Sequence, residues 1–322
     1  MARRWDESDV RVRPGRGSRP RTKERPKHED AVIGRVTAVD RGRWTTLVDE
    51  RVVVAMRARE LGRTPIVVGD RVAMVGDTSG RRDTLARIVR VEERTTVLRR
   101  TADDTDPVER VVVANADQLV VVAALADPEP RPRLIDRCLV AAYDAGMDPL
   151  IVLTKSDLAS AEDFLARYAP LDVPYVVTSA LGLEGLTELR ERLTGRASVL
   201  VGHSGVGKST LVNTLAPDAD RATGHVNDVT GRGRHISTSA LGLRLPEGGW
   251  IIDTPGIRSF GLAHVEPDAI IGHFPELAGG AEDCPRGCSH DEPDCALDAW
   301  VAAGHAGAQR LDSLRRLLRA RN

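Results

Sequence analysis

The stretch that most limits what this chain can be is Gly202-His203-Ser204-Gly205-Val206-Gly207-Lys208-Ser209-Thr210, which fills every fixed position of G-x-x-x-x-G-K-[ST]. The apolar run before it, residues 197–201, reads as a buried strand, and residues 211–215 can begin a helix. A strand that feeds a glycine-rich turn into a helix N-terminus aims backbone N–H groups at a bound anion, and the helix dipole adds to the attraction. Gly202 and Gly207 let the backbone wrap closely around phosphates. Lys208 supplies a point charge to the β- and γ-phosphates, and the Ser209 hydroxyl is placed to ligate Mg²⁺. The only lysines are Lys23, Lys27, Lys155 and Lys208, in a chain that otherwise takes its cations from arginine. A lysine retained in the folded part marks a site where an ammonium suits better than a guanidinium fork.

Lys155 lies in a second such site. The run 150–153 reads as a strand leading into Thr154-Lys155-Ser156-Asp157, which fits [NT]-K-x-D, the element by which GTPases read guanine. Asp157 accepts from the ring N–H and exocyclic amine of guanine, and the Lys155 stem lies along the base. Adenine offers no matching donor pair, so a buried Asp157 left unpaired costs about 1–3 kcal/mol. Thr154 stands where asparagine is usual, which predicts a weaker polar contact nearby. Thr178-Ser179-Ala180, after the apolar run 175–177, resembles the backbone loop that contacts guanine O6. The guanine-reading element thus precedes the phosphate loop, the reverse of the ordinary order, so the sheet has been cut and rejoined. Termini that lie close together at a surface permit that.

Downstream, Thr230-Gly231-Arg232-Gly233-Arg234-His235-Ile236-Ser237-Thr238 precedes a β run, and residues 249–252 lead into Asp253-Thr254-Pro255-Gly256. Asp253 at a strand end fits a residue holding the Mg²⁺ water shell, and the Gly256 N–H fits a γ-phosphate contact. Thr238 is the expected second Mg²⁺ ligand, with Ser237 the alternative. Ile257 follows Gly256, where many GTPases place a glutamine that orients water; an aliphatic side chain cannot. His235 is the nearest polar candidate for that role. Near the C-terminus, Cys284-x3-Cys288-x-His290-x4-Cys295 offers three thiolates and an imidazole, the ligand set of a closed, structural zinc site.

The remaining segments set the domain plan. Residues 1–30 carry ten Lys/Arg against six Asp/Glu, with three prolines, and read as a disordered basic tail or an arm for RNA phosphates. Five Val- and Thr-rich runs, 31–38, 44–48, 52–56, 66–75 and 85–91, suggest a small β-barrel over 31–100, with an OB-fold the natural candidate. From Val111 strands alternate with helices, the mark of a mostly parallel α/β sheet, over 101–275. The helix expected over 133–145 puts Cys138 on its apolar face, where it reads as core rather than as a reactive thiol. Residues 276–322 form the zinc-binding segment, closing with a helix over 311–320 whose Arg315, Arg316, Arg319 and Arg321 read as a solvated face or an RNA patch. The formal net charge of -1 argues against a uniformly basic coat. No apolar run reaches membrane-spanning length, no secretory leader is visible, and four cysteines suit a reduced, cytoplasmic setting.

Taken together, the leading barrel, Asn115-Ala116-Asp117-Gln118 before a buried strand, Thr154-Lys155-Ser156-Asp157, the phosphate loop, Gly233-Arg234-His235, Asp253-Thr254-Pro255-Gly256 and the cysteine/histidine knuckle resemble the RsgA family, circularly permuted GTPases of small-ribosomal-subunit biogenesis. The resemblance implies an OB-fold, a permuted G domain and a zinc domain, with GTP/GDP and Mg²⁺ as ligands and one structural Zn²⁺. It implies a monomer that binds the small subunit and its rRNA, hydrolyses GTP under that stimulus late in assembly, and leaves on hydrolysis. It also implies that His235 is catalytic. The chain departs from the family pattern at Ile236-Ser237, where two threonines are frequent, and in knuckle spacings one residue shorter on each side. The alternatives are an RNA-binding module in which guanine nucleotide is a slow switch or structural ligand, and an ATP-dependent phosphate-loop enzyme, which Asp157 opposes.

Overall fold

The structure, a computed structural model, describes residues 28–101, 109–179, 184–217, 240–254, 261–262 and 264–321. Alternating Val, Thr and Gly make the segment after Asp30 a pleated chain with one face inward. Five strands result, β1 (Val32–Asp40), β2 (Arg43–Val48), β3 (Arg51–Arg57), β4 (Arg71–Gly76) and β5 (Ala86–Val91). They pair in the order β1-β2-β3-β5-β4, and β4 returns to β1, closing a barrel in which only β3 and β5 run parallel. Val36, Trp44, Val48, Val53, Ala55, Val72, Met74 and Ile88 fill its interior.

One expected strand is shorter than the sequence suggested. Residues 66–70 do not extend β4 but form a turn, in which Gly69 has φ +92° and a Cβ there would stand 1.9 Å from the Ala114 carbonyl oxygen. Asp70 closes this turn. Its carboxylate is fully buried, accepts from the Val67 N–H at 2.8 Å, and takes Nε and a terminal nitrogen of Arg94 at 2.7 and 2.8 Å. A short two-stranded sheet follows, β6 (Val97–Arg100) with β7 (Arg110–Ala114).

The second half of the fold is a sheet in the order β10-β9-β8-β11-β13-β12, made of β8 (Gln118–Ala124), β9 (Asp148–Thr154), β10 (Tyr175–Val177), β11 (Ala197–Val201), β12 (Leu241–Arg244) and β13 (Trp250–Asp253). All neighbours are parallel except β12, which runs antiparallel to β13. β8 is buried along its whole length, as a central parallel strand must be. Its residues divide by parity. Leu119, Val121 and Ala123 face the cluster that holds α1 (Pro132–Asp144), whereas Val120, Val122 and Ala124 face the one that holds α3 (Leu186–Leu193) and α4 (Lys208–Leu215). Helix α2 (Glu162–Tyr168) joins the α1 side through Phe164 and Tyr168. Cys138 is core on α1, its thiol pushed up to about 12 by burial, as its place in the apolar stripe predicts. β12 also pairs with β1, at Ala38 opposite Leu241, so barrel and sheet share one continuous run of eleven strands.

Four helices complete the chain: α5 (Pro267–Ile271), α6 (Pro275–Ala281), α7 (Ala296–Ala302) and α8 (Ala308–Ala320). Leu311, Leu314, Leu317 and Leu318 of α8 join the same core as α1, as their spacing requires. The arginines at this end of the chain are only in part a solvated face: the Arg319 side chain is 65% exposed, but Arg315 and Arg316 are not open to solvent in that way. Arg315 and Arg316 are only 15% and 23% exposed, pairing with Asp298 and Asp136, while Arg319 pairs with Asp291 and Arg321 donates to the Val265 carbonyl. The fold makes an immediate prediction for the barrel. Arg94→Ala strands the Asp70 carboxylate without its partner and should cost about 3–5 kcal/mol. Hydrogen exchange across β1–β5 should read it as a matching loss of protection, with unchanged protection contradicting the assignment.

Candidate functional site

The site lies where parallel strands of the sheet end. Such carboxyl-terminal edges are where open α/β sheets bind ligands. The phosphate loop leaves β11 and turns into α4, with Gly205 and Gly207 at φ +85° and +86°. Gly202 is required for a different reason: a Cβ there would stand 2.6 Å from the Val122 carbonyl oxygen of β8. Leu200 of β11 lies opposite Asp253 of β13, so Lys208 at the start of α4 meets the Asp253 carboxylate directly, and both are half-buried or less exposed. Ser209 and Thr210 are exposed at the helix start. Thr254 fixes the end of β13 by donating to the Leu200 carbonyl at 2.8 Å, a role no local sequence signal marks.

The guanine-reading element occupies the end of β9, two strands from β11 across β8. Thr154 is buried, and its hydroxyl donates to the Val206 carbonyl of the phosphate loop at 2.6 Å. Its side chain also faces the position where Gly207 lacks a Cβ, at 3.7 Å. The threonine hydroxyl thus makes a direct polar contact with the phosphate loop. Lys155 turns its backbone to φ +61° and its ammonium donates to the Asp127 carbonyl in the loop after β8. Pro128 of that loop approaches the Gly205 position at 3.5 Å, so the loop touches both motifs. Asp157 is exposed rather than buried, and its carboxylate accepts from the Ser179 hydroxyl at 2.6 Å. Ser156 anchors the turn through its N–H to the Thr178 carbonyl and its hydroxyl to Glu184.

Of the residues singled out in the sequence, Thr154, Lys155, Ser156, Asp157, Ser179, the phosphate loop from Gly202 to Thr210, and Asp253 come together along these strand ends. Ala180, His235, Ser237, Thr238 and Gly256 lie outside the described residues. Asn115, Asp117 and Gln118 sit at the opposite end of the sheet. There Asn115 donates to the Gly69 carbonyl, Asp117 accepts from the Ala197 N–H, and Gln118 donates to Ser198. They tie barrel, β8 and β11 together.

The cysteine/histidine knuckle forms a separate cluster. The Cys284 and Cys295 sulfurs are 3.8 Å apart, and His290 Nδ1 lies 3.6 and 4.0 Å from them. All four ligand atoms, Cys288 included, fall within 4.8 Å of one another. A tetrahedron with Zn–S near 2.3 Å has edges of about 3.8 Å, so this donor set fits a zinc ion. Burial holds the His290 imidazole below its ordinary value, keeping it in the neutral form that ligates. Cys288 donates to Glu292 at 2.9 Å. The short spacings thus keep all four donors together.

A phosphate loop and a guanine-reading element that touch in space, yet appear in reversed order in the chain, define a circularly permuted GTPase, here with a leading barrel and a trailing cysteine/histidine knuckle. Residues 91–263 match the family model described as RsgA GTPase. The chain is 45% identical over 215 residues to the small ribosomal subunit biogenesis GTPase RsgA of Ectopseudomonas mendocina, covering 64% of this chain and 62% of that one. It is 38% identical over 277 residues to the RsgA of Chlorobaculum parvum, covering 83% and 89%. The crystal structure of YjeQ from Thermotoga maritima superposes with a TM-score of 0.64 at 27% identity, over 90% of this chain and 98% of that one. The chain belongs to the RsgA GTPase family.

Thr154→Val removes the donor to the buried Val206 carbonyl and should cost about 1–3 kcal/mol, read as a roughly tenfold or greater loss of GDP affinity in a fluorescent-nucleotide titration. An unchanged affinity would show that the contact does not shape the site.

Proposed function

We propose that this chain binds GTP across the strand ends and hydrolyses it to GDP and phosphate as a maturation factor of the small ribosomal subunit. The observation that carries the reading is the Thr154–Val206 contact, which joins the guanine-reading and phosphate-binding elements into one cleft. The relatives named for small-subunit biogenesis support the setting. The backbone N–H groups of residues 203–208 and the Lys208 ammonium hold the phosphates, and Asp157, Lys155, Ser156 and the Ser179–Ala180 loop hold the base. Lys208 then exchanges its Asp253 partner for phosphate oxygens, which frees the Asp253 carboxylate. The Ser209 and Thr238 hydroxyls, with Asp253 behind them, would hold a Mg²⁺ ion, which would supply charge neutralisation when bound. His235 orients the attacking water, the Gly256 N–H holds a γ-oxygen, and the new P–O bond forms as the bond to the β-phosphate oxygen breaks.

The partner in this reading is the small subunit and its rRNA, which stimulates hydrolysis, and release follows. The factor works as a monomer in the cytoplasm; no described helix is long and apolar enough to cross a membrane. Cys284, Cys288, His290 and Cys295 hold one structural Zn²⁺. The division into a tail (1–30), an OB-fold barrel (31–100), a G domain (101–275) and a zinc domain (276–322) belongs to the same proposal.

The test is GTP turnover with small subunits, large subunits or bare RNA added. Small subunits alone should raise kcat, and His235→Ala should abolish most of that rise, by about 10²-fold or more, while leaving GDP affinity unchanged. Turnover indifferent to small subunits would favour a nucleotide-gated RNA binder instead, and full activity in His235→Ala would remove His235 from the chemistry.

A further inference from the structure

Three arginines in the second half of α8, Arg315, Arg316 and Arg319, divide between two jobs, and one of them concerns the knuckle. Arg316 faces α1, where it meets Asp136. Arg315 and Arg319, one turn apart, face the loop that carries the last two metal-ligand candidates. Arg315 spans that loop. Its two terminal nitrogens donate to both carboxylate oxygens of Asp298 at 2.9 and 2.7 Å, and its Nε donates to the His290 carbonyl at 2.9 Å. Arg319 forks onto Asp291, the residue after His290, at 2.8 and 2.6 Å. Asp298 lies in the first turn of α7, whose N-terminal boundary residue is Cys295. The two forks therefore grip both ends of the segment that runs from His290 to Cys295.

The backbone gives that grip something to do. His290 has φ +63°, a left-handed conformation that is uncommon for a residue with a Cβ. Arg315 bonds the carbonyl of that very residue, and the His290 ring is buried. Charge points the same way. Three thiolates around a divalent cation leave one net negative charge, and Glu292, Asp291 and Asp298 surround the cluster with more. Arg315 and Arg319 face it with the balancing positive charge.

We propose that Arg315 and Arg319 are positioning residues of the metal site: their forks hold His290 and Cys295 in ligating geometry and set how firmly the knuckle retains zinc. This rests on the reading of the knuckle as a zinc site. Outer partners that orient metal ligands typically contribute 10–100-fold in metal affinity.

The experiment uses the full-length protein, with zinc content measured first and then zinc release to a chromogenic chelator followed in time. Wild type should hold one zinc per chain; a chain that holds none removes both the zinc reading and this inference. Arg315→Ala with Arg319→Ala should release zinc at least 10-fold faster. Arg315→Lys should go the same way, because an ammonium keeps the charge but cannot fork to Asp298 while reaching His290. Asp298→Asn, the mildest change, should also accelerate release while GDP binding stays at the wild-type level, which separates a loosened knuckle from a misfolded chain. Arg316→Lys, on the other side of the same helix, should leave release unchanged. Wild-type release from the Arg315 variants, or equally fast release from Arg316→Lys, would overturn the assignment.

Discussion

The hydrogen bond from the buried Thr154 hydroxyl to the Val206 carbonyl is the constraint on which the site depends. β9 and β11 are separated in the sheet by β8, so nothing in the strand ladder itself brings the guanine-reading turn against the phosphate loop. A 2.6 Å bond in a water-free position does, and leaving its acceptor unpaired there would be costly. Gly207 contributes by omission, since it offers no side chain where Thr154 packs. Lys155 adds a second tie through the Asp127 carbonyl, so the loop after β8 is clasped between the two motifs.

Chain order matters little to such a site. The strands that feed it are joined by helices of ordinary length, and cutting the sheet at one connection while closing another leaves every strand with its neighbours. What the permutation does change is what lies next to what. β12 directly follows the stretch containing His235 and Thr238, pairs with β13, and pairs again with β1 of the barrel. Arg244 of β12 meets Glu50 of the barrel at 2.5 Å, and Arg35 of β1 lies over the Trp250 ring. Barrel and nucleotide domain thus meet along hydrogen-bonded strands as well as packed side chains.

Much of this was legible in the sequence because the chemistry is local. Phosphate binding needs consecutive N–H groups, guanine reading needs a carboxylate two residues after a lysine, and zinc needs donors within one short loop; each leaves a pattern of adjacent letters. The barrel strands and the faces of α1 and α8 followed from periodicity. What the sequence hid was long-range. The apolar residues 66–68 looked like strand but form a turn, because Asp70 folds back onto the Val67 N–H and finds Arg94, 24 residues away. Thr154 looked like a weakened asparagine, because its acceptor lies fifty-two residues downstream. Arg315 and Arg316 looked free, because their carboxylates, Asp298 and Asp136, belong to α7 and α1. Exposure of Asp157 was likewise invisible, since burial there depends on what covers the turn.

The central claim, that Asp157 and Lys208 hold opposite ends of one guanine nucleotide, meets its most direct test in nucleotide titrations of Asp157→Asn. The account predicts weakened GDP binding with a gain in xanthosine diphosphate binding, because an amide donates where the carboxylate accepted, while Lys208→Ala weakens both nucleotides alike. GDP selectivity left intact in Asp157→Asn would contradict it.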